Sequence, residues 1–137
     1  IKRPPALGFF SKFNLEEDGE YKDLFDIKNR AILTYVEIAR VIALSREIKG
    51  STNTYSRFKQ LAMLEPKHAD VYQVASEAFL MLLKIRTNEG YKSGSDAAYI
   101  ATDELSKSDR ERLKSAILPL KELEEIVKSK FQLTFFS

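Results

Sequence analysis

The sequence contains no cysteine and no tryptophan, and in 137 residues it has one histidine, four prolines and five glycines. Without cysteine there is no disulfide framework and no thiol chemistry, which argues against a stapled, secreted fold. A single histidine, His68, is too few for a His-rich metal site and argues against a Ser-His-Asp arrangement. No apolar run reaches the roughly 18–20 residues that span a bilayer, and no signal-peptide pattern opens the chain. A cytoplasmic location is the expectation. Net charge is also lacking: 22 basic and 20 acidic residues leave +2. That balance gives no bulk reason to bind nucleic acid, and no basic stripe with interleaved aromatics appears.

What remains is ordinary globular composition, 44% hydrophobic and 31% charged, in a length sufficient for one self-supporting core. The organising stretch is Asp26 to Arg57. Its middle, Ile32 to Leu44, is apolar except at Thr34, Glu37 and Arg40, three polar residues spaced by three that form one narrow stripe on a helix. A helix so apolar is expected to be buried on nearly all sides. Its Glu37 and Arg40 must then pair or face a ligand. Beginning at Ile1 in Lys-Arg-Pro-Pro, the chain reads as part of a longer polypeptide.

The pattern predicts an all-α, up-and-down bundle of four main helices over residues 28–134, preceded by an extended arm, 1–27. Pro4 and Pro5 force the arm's start to be extended, Phe9, Phe10 and Phe13 supply anchors, and Asp18-Gly19 marks a short hairpin. Asp26 caps a first helix running to Ser45. Thr52, Asn53 and Thr54 are each suitable caps for a second, Tyr55 to Leu64. A third begins at Pro66 and ends near Asn88, and Gly90 to Thr102 reads as a loop. The fourth follows Ser106, with Lys121/Glu125 and Glu124/Lys128 on its wet face, and Pro119 should kink it. The apolar tail, Leu133 to Phe136, should dock.

Two readings of the cations stay open. Arg3, Lys28, Arg30, Arg40, Arg57, Lys84 and Arg86 could converge on phosphates, or Arg40 could pair with Glu37 while the rest are solvated. Thr52-Asn53-Thr54 is either plain capping or an anion site at a helix start. Gly94-Ser95 is followed by Asp103-Glu104, adjacent acids before a helix, so the alternating metal-binding acids of a nucleotidyltransferase active site are missing. No paired carboxylates, phosphate loop or nucleophile–base set occurs elsewhere, and no enzyme chemistry is read in this stretch.

A series of short words runs through the chain in order: Arg3-Pro4-Pro5, Leu7-Gly8-Phe9-Phe10, Asp26-Ile27-Lys28, Ile38-Ala39-Arg40, Ala43-Leu44, Ile48, Thr52-Asn53-Thr54 with Arg57, Ala78-Phe79-x-x-Leu82, and Asp103-Glu104-Leu105-Ser106. Together they resemble the nucleotidyltransferase substrate-binding domain, a C-terminal module of bacterial proteins that often carry CBS or cyclic-nucleotide-binding domains. The resemblance implies a bundle like the one following the catalytic domain of kanamycin nucleotidyltransferase. It implies a non-catalytic, substrate-positioning role in a signal-transduction protein, with Mg²⁺ and a nucleoside triphosphate handled by a preceding nucleotidyltransferase domain. The family's basic and polar positions map onto Arg3, Lys28, Arg40, Thr52, Asn53, Thr54 and Arg57, with Glu37 where the family usually has Asp. Asn88-Glu89 stands where Gln or His is expected. The competing reading is a dimerisation or partner-docking bundle with no ligand of its own.

Overall fold

The computed structural model describes residues 5–8, 12–50 and 53–136, with residues 133–136 described by their backbone alone. Arg3, Thr52, Phe9 and Phe10 lie outside the described residues, as do the side chains of the apolar tail. Five α-helices carry the fold: α1 (Leu33–Ser45), α2 (Thr54–Leu64), α3 (Ala69–Ser93), α4 (Lys107–Ile117) and α5 (Pro119–Phe136). The all-α bundle expected from the sequence is observed. The fourth helix is interrupted at Leu118, beside the Pro119 expected to disturb it, because Pro119 has no N–H to continue the ladder. The Leu118 N–H closes α4 onto the Lys114 carbonyl at 3.0 Å, and α5 starts afresh at Pro119.

A single π-helical turn, Lys28–Ile32, leads into α1. The Asp26 carboxylate holds its start, accepting from the Asn29 backbone N–H at 2.9 Å and from the Asn29 side-chain amide at 3.0 Å. A π turn widens the helix by one residue, so a carbonyl is left out of the α-helical register. The Thr34 hydroxyl takes up that slack, bonding the carbonyls of Asn29 and Arg30 at 3.3 and 3.1 Å. The sequence pattern read this region as uniform helix.

Two further readings change. The third helix runs through Gly90 to Ser93 and stops at Gly94, whose φ of +70° suits glycine. Gly90 is needed for another reason: a Cβ there would lie 2.7 Å from the Ser95 carbonyl oxygen as the chain folds back. The segment after α3 is not all loop either. Tyr99–Ile100 (β2) pairs antiparallel with Phe25–Asp26 (β1), in the register Phe25 with Ile100 and Asp26 with Tyr99. The Asp18-Gly19 turn does reverse the chain, with Glu16 and Leu24 hydrogen-bonded across it. Its outgoing strand, however, pairs with β2.

The core is aromatic at its centre. Tyr35 of α1 is fully buried, with its ring edge-on to Phe58 of α2 and Phe79 of α3 at centroid distances of 6.1 and 6.5 Å. Its hydroxyl donates to the Ala116 carbonyl at 2.6 Å, one of the acceptors at the end of α4. Around it pack Ile38 and Ile42 of α1, Tyr72 and Leu82 of α3, Leu113 of α4 and Leu123 of α5. The first helix is less enclosed than its composition suggests, with Val36 and Val41 half-buried and Leu44 exposed.

At the opposite end from the α4–α5 break, Glu65 joins four elements. Its carboxylate accepts from the Tyr72 hydroxyl of α3 at 2.8 Å and from Lys130 Nζ of α5 at 2.8 Å, and lies 3.6 Å from Arg46 Nε just past α1. Burial works to raise its pKa, but the hydrogen bonds from Lys130 and Tyr72 and the charges of Lys130 and Arg46 hold it below the ordinary value of 4.5. The His68 ring sits edge-on to Tyr72 behind this cluster. A depressed carboxylate pKa means stability that is present above 4.5 and is lost as pH falls through the folded-state value. Glu65→Gln should therefore lower stability by about 1.5–3 kcal/mol at neutral pH. Urea titrations from pH 7 to 3 should show that deficit shrinking below pH 4.5 as the wild-type carboxyl protonates.

Candidate functional site

The one-residue break at Leu118 marks the α4–α5 junction, called the elbow below, and α1 packs beside it. Between them is a groove of about 700 Å³, with Ile38, Ile117 and Leu120 among its apolar lining and residues 5–8 closing one side. Its polar groups come from three places. Arg30 and Thr34 belong to the π turn and the start of α1, Glu37 lies one turn on, and Lys121, Glu124 and Lys128 follow at three- and four-residue spacing along α5.

These groups are differently restrained. Arg30 Nη2 and Nε reach Glu16 Oε2 at 2.8 and 3.2 Å, which fixes the guanidinium at the groove edge. Thr34 is tied to the backbone behind it. Glu37 is half-buried. Desolvation beside the groove raises the Glu124 pKa, with Glu125 adding to the rise and Lys128 opposing it. Lys121 and Lys128 extend from the exposed side of α5. The groove thus combines an apolar floor, a fixed arginine, two lysines and two carboxylates, the arrangement a mixed polar–apolar anionic ligand requires.

Of the residues marked by sequence, the structure brings Arg30 and Glu37 into this groove. Lys28 is exposed at the π turn. Arg40 is exposed and has no ion pair with Glu37; at 100° per residue it is turned about 60° away from Glu37 and about 120° from Thr34. Asn53 caps α2, its Oδ1 accepting from the Ser56 N–H at 2.7 Å, Thr54 is buried, and Arg57 is half-buried on the first turn of α2. These three follow the C-terminal end of α1, whereas the groove flanks its first half. Sequence pattern assigned Lys121, Glu124 and Lys128 to a wet helix face. The signals for them were Pro119, which breaks the helix beside the groove, and the Thr34/Glu37 stripe on the facing wall.

A second, more open groove of about 630 Å³ lies between α2, α3 and α4, floored by Val74, Ala78 and Met81. Among the described residues, no three His, Cys, Asp or Glu side chains gather where a metal ion could be held, and no helix is long and apolar enough to cross a membrane.

A family model described as "Putative nucleotidyltransferase substrate binding domain" matches residues 1–131. No curated protein and no solved structure matches the chain significantly. The capping geometry of Asn53 generates a prediction of its own. Asn53→Ala should cost about 1 kcal/mol in urea unfolding, with the chemical shifts of Thr34, Glu37 and Lys121 unchanged.

Proposed function

The chain belongs to this family of nucleotidyltransferase substrate-binding domains, and from that premise we propose that the α1–elbow groove forms the substrate side of a nucleotide-transfer site. The observation that carries the reading is the meeting of Arg30, Lys121 and Lys128 with an apolar floor in one recess. Phosphate or another anionic group is attracted by the two lysines and oriented by the arginine, whose planar fork Glu16 holds in place. An apolar portion of the ligand rests on Ile38, Ile117 and Leu120. Glu37 and Glu124 supply acceptors for hydroxyl or amine groups, and a protonated Glu124 also supplies a donor.

In this proposal the module positions substrate and performs no chemistry. Mg²⁺ and the catalytic handling of the nucleoside triphosphate are assigned to a nucleotidyltransferase domain of the same polypeptide, and the groove contributes its own contacts to the bound nucleotide from the substrate side. The setting we propose is a bacterial signal-transduction protein. A docking or dimerisation role is the second reading, favoured by the apolar floor of the open groove and by exposed Val74, Leu80 and Leu83 on α3.

Titration of the chain with MgATP and MgUTP, followed by amide chemical shifts, separates these readings. Saturable shifts at Thr34, Glu37, Lys121, Glu124 and Lys128 are expected, weakened roughly a hundredfold or more by Lys121→Ala with Lys128→Ala, since each charge-assisted contact removed is worth about 1.5–3 kcal/mol. No shifts, or shifts confined to Val74, Ala78 and Met81, would overturn the assignment.

A further inference from the structure

The outer wall of the groove is the second half of α5, and that half is fastened unlike the first. Leu120, Leu123 and Ile126 bury the early turns in the core. Beyond Ile126 the described side chains are at best half-buried: Val127 and Lys130 are intermediate, and Lys128, Ser129, Phe131 and Gln132 are exposed. Apolar burial therefore weakens along the stretch that carries Val127 and Lys128 into the groove. Among the described contacts, Glu65 reaches across to it, with its side chain only 9% exposed and its Oε2 2.8 Å from Lys130 Nζ.

Lys128 and Lys130 are two residues apart, about 200° around the helix, so they leave α5 in nearly opposite directions. A tether on Lys130 thus sets where the groove-facing side stands. The tether is itself anchored. Tyr72 and Arg46 hold the other contacts of the Glu65 carboxylate, so its position is referred to α3 and to the end of α1. Since α1 is the groove's other wall, Glu65 ties the separation of the two walls to one carboxylate outside the groove lining.

We propose that Glu65 is a remote positioning residue for the groove, latching the second half of α5 through Lys130 at a fixed distance from α1. The latch is local, because the early turns of α5 remain held by apolar burial when it opens. Its effect on ligand binding rests on the groove reading above, whereas the latch itself is a property of the free chain.

Amide hydrogen–deuterium exchange on the wild-type chain, Glu65→Gln and Lys130→Met tests it. Glu65→Gln keeps the shape and removes the charge that holds Lys130. Lys130→Met keeps the apolar stem and leaves the Glu65–Tyr72 bond in place. The expected result in both is exchange at residues 127–132 raised roughly tenfold or more beyond whatever common increase the variant's lower global stability gives residues 78–85 of α3 and 120–126 of α5. Unchanged exchange at 127–132 in either variant, or a uniform increase across the chain, would overturn the latch. The same samples titrated with MgATP and MgUTP keep the two ideas apart. If the wild type binds and Glu65→Gln binds equally well, the positioning role is overturned. If the wild type does not bind while residues 127–132 still loosen selectively, the groove assignment fails and the latch stands.

Discussion

The hydroxyl of Tyr35, bonded to the Ala116 carbonyl across 81 residues of sequence, is the contact on which the arrangement of this bundle depends. The phenol sits at the centre of the core with no exposure, where an unpaired hydroxyl would be costly. A helix interior offers few carbonyls for it. Pro119 interrupts the ladder after α4 and leaves acceptors near that helix end, and Tyr35 binds one of them. Burial raises the Tyr35 pKa well above the usual phenol range, so the group stays a neutral donor. The bond joins α1 to the end of α4, next to Ile117 and Leu118 of the groove lining. Core packing and groove shape therefore share one constraint.

Charge supplies the second restraint, at the other end of α1. Glu65 draws Lys130, Tyr72 and Arg46 together, and a buried carboxylate is tolerated there because several donors replace its lost water. The two restraints act on the two partners of α1 in turn: Tyr35 holds the elbow, and Glu65 holds the far part of α5. Between them the polar stripe of Thr34 and Glu37 faces the lysines of α5. The π turn adds a local device, offsetting Arg30 so that it meets Glu16 at the groove edge.

Local rules were legible in the chain. Asn53 before Tyr55 and Ser56 is a cap and behaves as one, accepting from the Ser56 N–H. Ser106 does the same for Asp109, and Pro119 ends a helix where its missing donor requires. The choice between Gly90 and Gly94 as helix stop was not legible. It depends on the return of Ser95 against the helix, a contact that local propensity does not encode. For Arg40 the sequence leaves open a pair with Glu37 or a ligand contact; three residues on a helix drift by about 60°, and Arg40 stands exposed without the Glu37 pair. The groove itself was hidden for the same kind of reason. Lys121 and Lys128 look like solvated lysines until α1 and α5 are placed side by side, and the contacts that help fix that placement, Tyr35 with Ala116 at the end of α4 and Glu65 with Lys130 of α5, span 81 and 65 residues. The ordered series of family words carried the assignment of the domain without locating its groove.

The most direct measurement is equilibrium urea unfolding of Tyr35→Phe against the wild-type chain. The substitution removes one oxygen and leaves the Ala116 carbonyl buried without that donor. A loss of about 1–3 kcal/mol is expected if this bond holds α1 on the elbow, seen as a lower midpoint with an unchanged slope. Equal stability of the two proteins would contradict it, showing that the elbow is held on α1 by apolar packing alone.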